Sequence, residues 1–130
     1  FNASCPCVQA HFDYLNDLAK KYKDYNFVGL HVNQKMTLAQ IKDYYSQYKI
    51  NFPILQDKDL VYANKLMALK TPHVYILDRD GNTLYQGGAT NSRNPKLAKK
   101  HYLKENLVAL ANGKTLPYKK AKTLGCYIER

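Results

Sequence analysis

The stretch Asn26-Phe27-Val28-Gly29-Leu30-His31-Val32 constrains the fold of this chain more than any other. Its apolar residues neither alternate with polar ones nor recur at helical spacing, and polar residues bound it on both sides. A short run of that kind predicts a strand covered on both faces, parallel and central in its sheet. Such a strand needs helices above and below it, and amphipathic stripes flank it. From about Pro6 to Lys23, the residues Val8, Phe12, Leu15, Ala19 and Tyr22 recur at spacings of three and four and mark one helical face. Lys20, Lys21 and Lys23 load the C-terminal end of that helix, where its dipole favours cations. On the other side of the run, Thr37-Leu38-Ala39-Gln40 has capping-box spacing, and Leu38, Ile41, Tyr45 and Tyr48 form a second stripe.

The remaining elements continue the alternation. Phe52-Pro53-Ile54-Leu55 predicts an edge strand or the start of a loop, because its proline cannot donate to a ladder. Asp59 is placed to cap a brief helix through about Met67, with Leu60, Ala63 and Met67 on one side. His73 to Leu77 predicts another strand, Asp78-Arg79-Asp80-Gly81 a turn, and Thr83 to Gln86 the returning strand of a hairpin. Asn94 and Pro95 start the last long helix as cap and first residue, Leu97, Leu103, Leu107, Leu110 and Ala111 supply its apolar face, and Gly113 closes it. This order predicts a three-layer α/β sandwich in which helices flank a central mixed sheet. With 130 residues, one domain is expected: residues 1–113, with 114–130 as a basic tail belonging to the same domain.

Cysteine usage points to chemistry. Three cysteines are too few for a disulfide scaffold, and two close together with a third far away suit redox or metal chemistry. Cys5-Pro6-Cys7-Val8 lacks the C-x-x-C-H of a c-type haem site. Cys5 falls at the predicted helix start, where unpaired N–H groups and the positive dipole end stabilise a thiolate; the alternative is a small buried residue. Of the formal charge of +10, residues 93–130 carry ten Lys or Arg against two acids, whereas residues 1–92 carry ten against eight. The basic tail suits an anionic membrane surface or an acidic partner, but its lysines are dispersed and fit a solvated face. No nucleic-acid motif accompanies them, so no nucleic-acid partner is expected. The twelve tyrosines read as packing residues, several of them on predicted core faces.

The ordered series SCPCVQAH, NFVGLHVNQ, NFPILQD, TPHVYILDRDGNTLYQGG and TLGCYI resembles the thioredoxin-like superfamily. Within it the likeness is to the redoxin branch of alkyl hydroperoxide reductase and thiol-specific antioxidant related proteins, over essentially the whole chain. The resemblance implies a thiol-disulfide oxidoreductase in which Cys5 is the nucleophile. Pro72, after Thr71, takes the place of a cis-proline that faces the active cysteine and offers backbone groups to substrate. Pro6, Thr71 and Pro72 are then the substrate-binding residues, and Cys7 or Cys126 resolves the mixed disulfide; Cys126, in a GC-x-I ending similar to that of the redoxin branch, has as alternatives a packed structural cysteine and a metal ligand. The family's C-x-x-C puts its second cysteine where Val8 stands, so a Cys5–Cys7 disulfide would close a tighter, more oxidising ring. The implied partners are protein thiols and disulfides or a peroxide, acting outside the cytoplasm in a bacterial periplasm or envelope, and no cofactor is required.

Two alternatives accompany this reading: a thiol peroxidase, and a non-catalytic binding module docking to other subunits of a larger envelope assembly. A peroxidase of this family would carry an arginine near His73 to Leu77, which Lys70-Thr71-Pro72 does not supply, and a threonine a few residues before Cys5, which Ser4 is not. The histidines His11, His31, His73 and His101 read as solvated or packed, so no metal site is assigned, although Cys5, Cys7 and His11 have the spacing for a copper site like that of thioredoxin-like copper chaperones. The chain starts about where the family's first central strand ends, so that strand is expected in a longer protein of which these residues are a trimmed piece.

Overall fold

The computed structural model describes all 130 residues, Phe1–Arg130. The helical stripe of the N-terminal segment is divided in two: α1 spans Pro6–Ala10 and α2 spans Phe12–Lys21. His11 lies between them with φ −94° and ψ −6°, and its Nδ1 lies 2.6 Å from the Cys7 carbonyl oxygen. A carbonyl only accepts, so the ring donates there. The amide of Leu15 still reaches the His11 carbonyl at 2.9 Å, so the chain resumes its helix one turn later.

The central run contributes a shorter strand than its apolar span suggests, β1 at Gly29–His31, paired in parallel with β2 at Ile54–Gln56. Between them α3, Leu38–Ser46, carries the capping box the sequence predicts: the Thr37 hydroxyl accepts from the Gln40 amide and the Gln40 side chain accepts from the Thr37 amide. Its inner face is Ile41 and Tyr45, whereas Leu38 is exposed, because as the first helical residue it projects before the stripe meets the core.

After β2, a single 3-10 turn at Lys58–Leu60 leads into α4, Val61–Lys65. The cap here is Asp57, not Asp59. Asp57 is buried and its two carboxylate oxygens accept from the amides of Tyr62 and Ala63 at 2.9 and 2.8 Å, while Asp59 takes a left-handed conformation in the turn. Met67 is exposed and also left-handed, which ends the helix before the predicted stripe does.

A strand the sequence does not signal follows, β3 at Lys70–Thr71. The predicted hairpin is β4, Val74–Leu77, and β5, Thr83–Gly87, turned by Asp78, whose Oδ1 accepts from the amides of Asp80 and Asn82. The expected long last helix starts late. Asn94 caps only a 3-10 turn at Pro95–Leu97, because Asn91 then draws the chain aside by accepting from the amides of Lys99 and Lys100 at 2.9 Å each. The helix proper, α5, is Tyr102–Ala111, and Leu97 stays exposed. The tail then crosses β5, where Gln86 bonds to Lys119 and Ala121, and ends in β6, Cys126–Tyr127, antiparallel to β3.

The structure is thus mixed α/β, but its strands pair as three separate two-stranded sheets, β1–β2, β3–β6 and β4–β5, where one central sheet is expected. The free edge of β1 instead meets Phe1, whose carbonyl accepts from the Val32 amide at 2.9 Å. Three apolar clusters hold the layers: Leu15, Leu18, Leu103 and Leu107 between α2 and α5; Cys5, Val8, Phe12, Ile41 and Tyr45 between α1, α2 and α3; and Val32, Leu60, Ala63, Ala68 and Ile128 beneath the tail. No helix is long and apolar enough to cross a membrane.

Candidate active site

Cys5, Cys7 and Cys126 converge from opposite ends of the chain, with all three sulfurs within 4.8 Å of one another and no disulfide among them. Cys5 is the cap residue of α1, in extended conformation, and Pro6 follows as first helical residue, where its missing N–H costs no hydrogen bond. The side chain of Cys5 is 1 % exposed. It lies in the apolar cluster with Val8 and Phe12, and its thiol donates to the Thr71 carbonyl at 3.4 Å.

Thr71 and Pro72 are both buried against this sulfur, and the Thr71–Pro72 peptide bond is cis. Thr71 does not offer free backbone groups, however. Its partner is Cys126, directly opposite in the β3–β6 register. The close approach depends on Gly125, since a Cβ there would overlap the Thr71 carbonyl. Beyond Cys126 the tail is anchored by Ile128, whose amide reaches the Leu69 carbonyl at 2.9 Å, and by Arg130, which bonds Asn64 and the Ala68 carbonyl.

The electrostatics rank the three thiols. Burial pushes Cys5 up, but it is outweighed by hydrogen bonds from the Cys126 thiol, the Val8 amide, the Thr71 hydroxyl and the Cys126 amide, so the net shift is downward. The buried Thr71 hydroxyl makes no hydrogen bond in the thiol form, which leaves it free to donate to a Cys5 thiolate. Cys7 is pushed up by burial and by the charge of Cys5, with the Arg93 guanidinium opposing. Cys126 is pushed up to about 12, first by its hydrogen bond to Cys5 and then by burial. Cys5 therefore ionises first and Cys126 last. The Val8 amide and Arg93 also belong to the site and leave no signal in the sequence, whereas Gly125 is part of the Gly125-Cys126 motif. His11 is turned to the Cys7 carbonyl and is not part of the sulfur cluster.

A match to the AhpC/TSA family covers residues 1–86, two thirds of the chain. The chain belongs to the AhpC/TSA family. The AhpC/TSA match ends before Cys126. Among curated relatives, the thiol-disulfide oxidoreductase ResA of Bacillus thuringiensis subsp. konkukian is 24% identical over 82 residues, 63% of this chain and 47% of its own. The ResA of a Bacillus cereus strain is 25% identical over 80 residues, 62% of this chain and 46% of its own. The chain thus spans about half the length of these relatives. Among solved structures, an uncharacterized conserved protein from Geobacillus kaustophilus superposes with TM-score 0.85 at 28% identity, covering 97% of this chain and 71% of the other. A secreted Mycobacterium tuberculosis disulfide oxidoreductase homologous to E. coli DsbE superposes with TM-score 0.62 at 22% identity, covering 85% and 76%, and supports the thioredoxin-like fold alone.

Proposed function

We propose that this AhpC/TSA protein is a thiol-disulfide oxidoreductase in which Cys5 attacks and Cys126 resolves. One observation carries the reading: the sulfurs of Cys5, the cap residue of α1, and Cys126, on the strand paired to Thr71, lie within 4.8 Å of each other with no disulfide between them. The Cys5 thiolate attacks one sulfur of a partner disulfide, forming a mixed disulfide and expelling the other partner sulfur as thiolate. At that moment Cys5 loses its charge and its capacity to accept strongly. These are the first and third causes that hold the Cys126 proton in place, so the thiol of Cys126 becomes easier to ionise once it is needed. The Cys126 thiolate attacks the Cys5 sulfur, releases the second partner thiolate and closes a Cys5–Cys126 disulfide. The partner gains two electrons and the protein loses two; the reverse sequence oxidises a partner dithiol, and the relative potentials set the direction.

Cys7 fits the resolving role less well. It shares a three-residue segment with Cys5, and its disulfide would close a small ring, whereas Cys126 arrives on a separate strand. We read the three strand pairs as segments of one thioredoxin-like three-layer sandwich spanning residues 1–113, with the tail folded onto it. Protein thiols and disulfides are the proposed partners, in keeping with the name of the ResA thiol-disulfide oxidoreductases, and a site of action outside the cytoplasm is proposed in keeping with the secreted Mycobacterium tuberculosis disulfide oxidoreductase.

Reduction of insulin disulfides by wild type, Cys5→Ser and Cys126→Ser, with peptide mapping of the oxidised chain, tests this. Turnover is expected only in the wild type, with a trapped mixed disulfide in Cys126→Ser and a Cys5–Cys126 link on oxidation. A Cys5–Cys7 link with free Cys126 would overturn the resolving role. Equal, negligible turnover in wild type and Cys5→Ser would favour the binding module, and peroxide consumption without insulin reduction would favour the peroxidase.

A further inference from the structure

The redox cycle uses two of the three sulfurs, leaving Cys7 within 4.8 Å of both with no assigned task. We propose that the reduced chain binds one monovalent copper ion, Cu(I), through the sulfurs of Cys5, Cys7 and Cys126. This goes beyond the oxidoreductase reading and does not rest on it.

The geometry is close to that of a trigonal thiolate site. With every sulfur pair within 4.8 Å, an ion in their midst lies no more than about 2.8 Å (4.8 Å divided by √3) from each, so contraction by about 0.5 Å reaches ordinary metal–thiolate distances. Two of the three ligands can supply that contraction. Cys7 is half-buried at the start of a five-residue helix, and Cys126 is half-buried on a two-residue strand.

Donor chemistry selects the ion. Three sulfurs with no imidazole or carboxylate form a soft set, which favours Cu(I) over harder divalent ions. His11 does not complete a fourth position, because its Nδ1 is engaged by the Cys7 carbonyl at 2.6 Å. Structural zinc sites take four protein ligands, and this cluster offers three. The negative charge of three thiolates around one Cu(I) is met by the Val8 and Cys126 amides and the Thr71 hydroxyl at Cys5, and by Arg93 beside Cys7. On binding, the thiol protons leave to solvent and the metal keeps its oxidation state.

The test is an anaerobic titration of the fully reduced 130-residue chain with Cu(I) against a chromophoric Cu(I) chelator, with X-ray absorption to count sulfur neighbours. One equivalent of Cu(I) with three sulfurs at about 2.3 Å is expected. Cys7→Ser is expected to weaken binding by at least about 100-fold, more than the loss of an outer-shell partner costs. An unchanged circular-dichroism spectrum and an unchanged Tm show that the fold of this variant is intact. Binding unaffected by Cys7→Ser, absence of stoichiometric Cu(I), or preferential binding of Zn(II) would overturn the proposal. Insulin turnover without Cu(I) binding removes the metal site and leaves the oxidoreductase standing, whereas Cu(I) binding without turnover does the reverse.

Discussion

Replacing Gly125 with alanine puts a methyl group where the Thr71 carbonyl already lies, with the Pro72 ring at 3.4 Å behind it. Both obstacles belong to a buried backbone segment that cannot swing aside as a side chain would. The relief available is for β6 to lift from β3. Lifting exposes Ile128, now 7 % accessible, at a cost of about 1.5–3 kcal/mol. It also exchanges the Ile128–Leu69 backbone bond and its neighbour in the ladder for water, at about 1 kcal/mol each. The sum, about 3.5–5 kcal/mol, predicts a fall in Tm of about 10–15 °C for a domain of this size. The chemical consequence is separate. Cys5 loses the Cys126 thiol and amide and keeps the Val8 amide and the Thr71 hydroxyl, so its pKa rises toward that of an ordinary thiol. Calorimetry reads the first effect, and the pH dependence of Cys5 alkylation, followed by mass spectrometry, reads the second. A G125A chain with Tm within about 2 °C of wild type and an unchanged alkylation midpoint would refute the claim that this contact seats the tail.

Two further predictions concern the frame. Asp57→Ala removes the acceptor for the Tyr62 and Ala63 amides and should cost about 1–2 kcal/mol, read as a lower urea midpoint with unchanged slope; Asp59→Ala should change it little. His31 is buried beside the Tyr45 hydroxyl, and burial pushes its pKa down to about 4 from the usual 6.5. The unfolded chain therefore binds the proton more readily. The stabilisation is complete above about pH 6.5 and is lost as pH falls toward 4, by up to about 3 kcal/mol. Urea midpoints at pH 7 and 4.5 should diverge in wild type and diverge less in His31→Gln; equal divergence would assign the acid sensitivity elsewhere.

Local signals in the sequence translated well where the physics is local. The Thr37–Gln40 capping box, the Asp78 turn, the β4–β5 hairpin and the helical stripe from Val8 to Tyr22 each depend on residues a few positions apart, and each is present. Expectations failed where a distant group competed for the backbone. Asn91, eight and nine residues away, takes the amides of Lys99 and Lys100 and delays the last helix, and Asp57 displaces Asp59 as the cap; closer in sequence but equally aperiodic, the His11 ring takes the Cys7 carbonyl and interrupts the first helix. None of these leaves a periodicity to read. The breadth of the central sheet failed for the same reason, since pairing across a sheet is set by segments far apart in sequence.

The candidate site divides along the same line. Motifs point to Cys5 and to the Thr71-Pro72 pair, whereas Cys126 is signalled more weakly, by the count of three cysteines and by a Gly125-Cys126-Tyr127-Ile128 ending similar to that of the redoxin branch. What the sequence could not disclose is that β6 takes the very backbone groups of Thr71 that an incoming polypeptide was expected to use. A partner that adds its own strand at β3 must first displace β6, and displacement removes two of the four donors that favour the Cys5 thiolate. Strand addition and nucleophile activation are therefore opposed in this chain. Under the proposed cycle the arrangement favours partners that present an exposed disulfide to the Cys5 sulfur without pairing along β3, because the strand that carries Cys126 already occupies that edge.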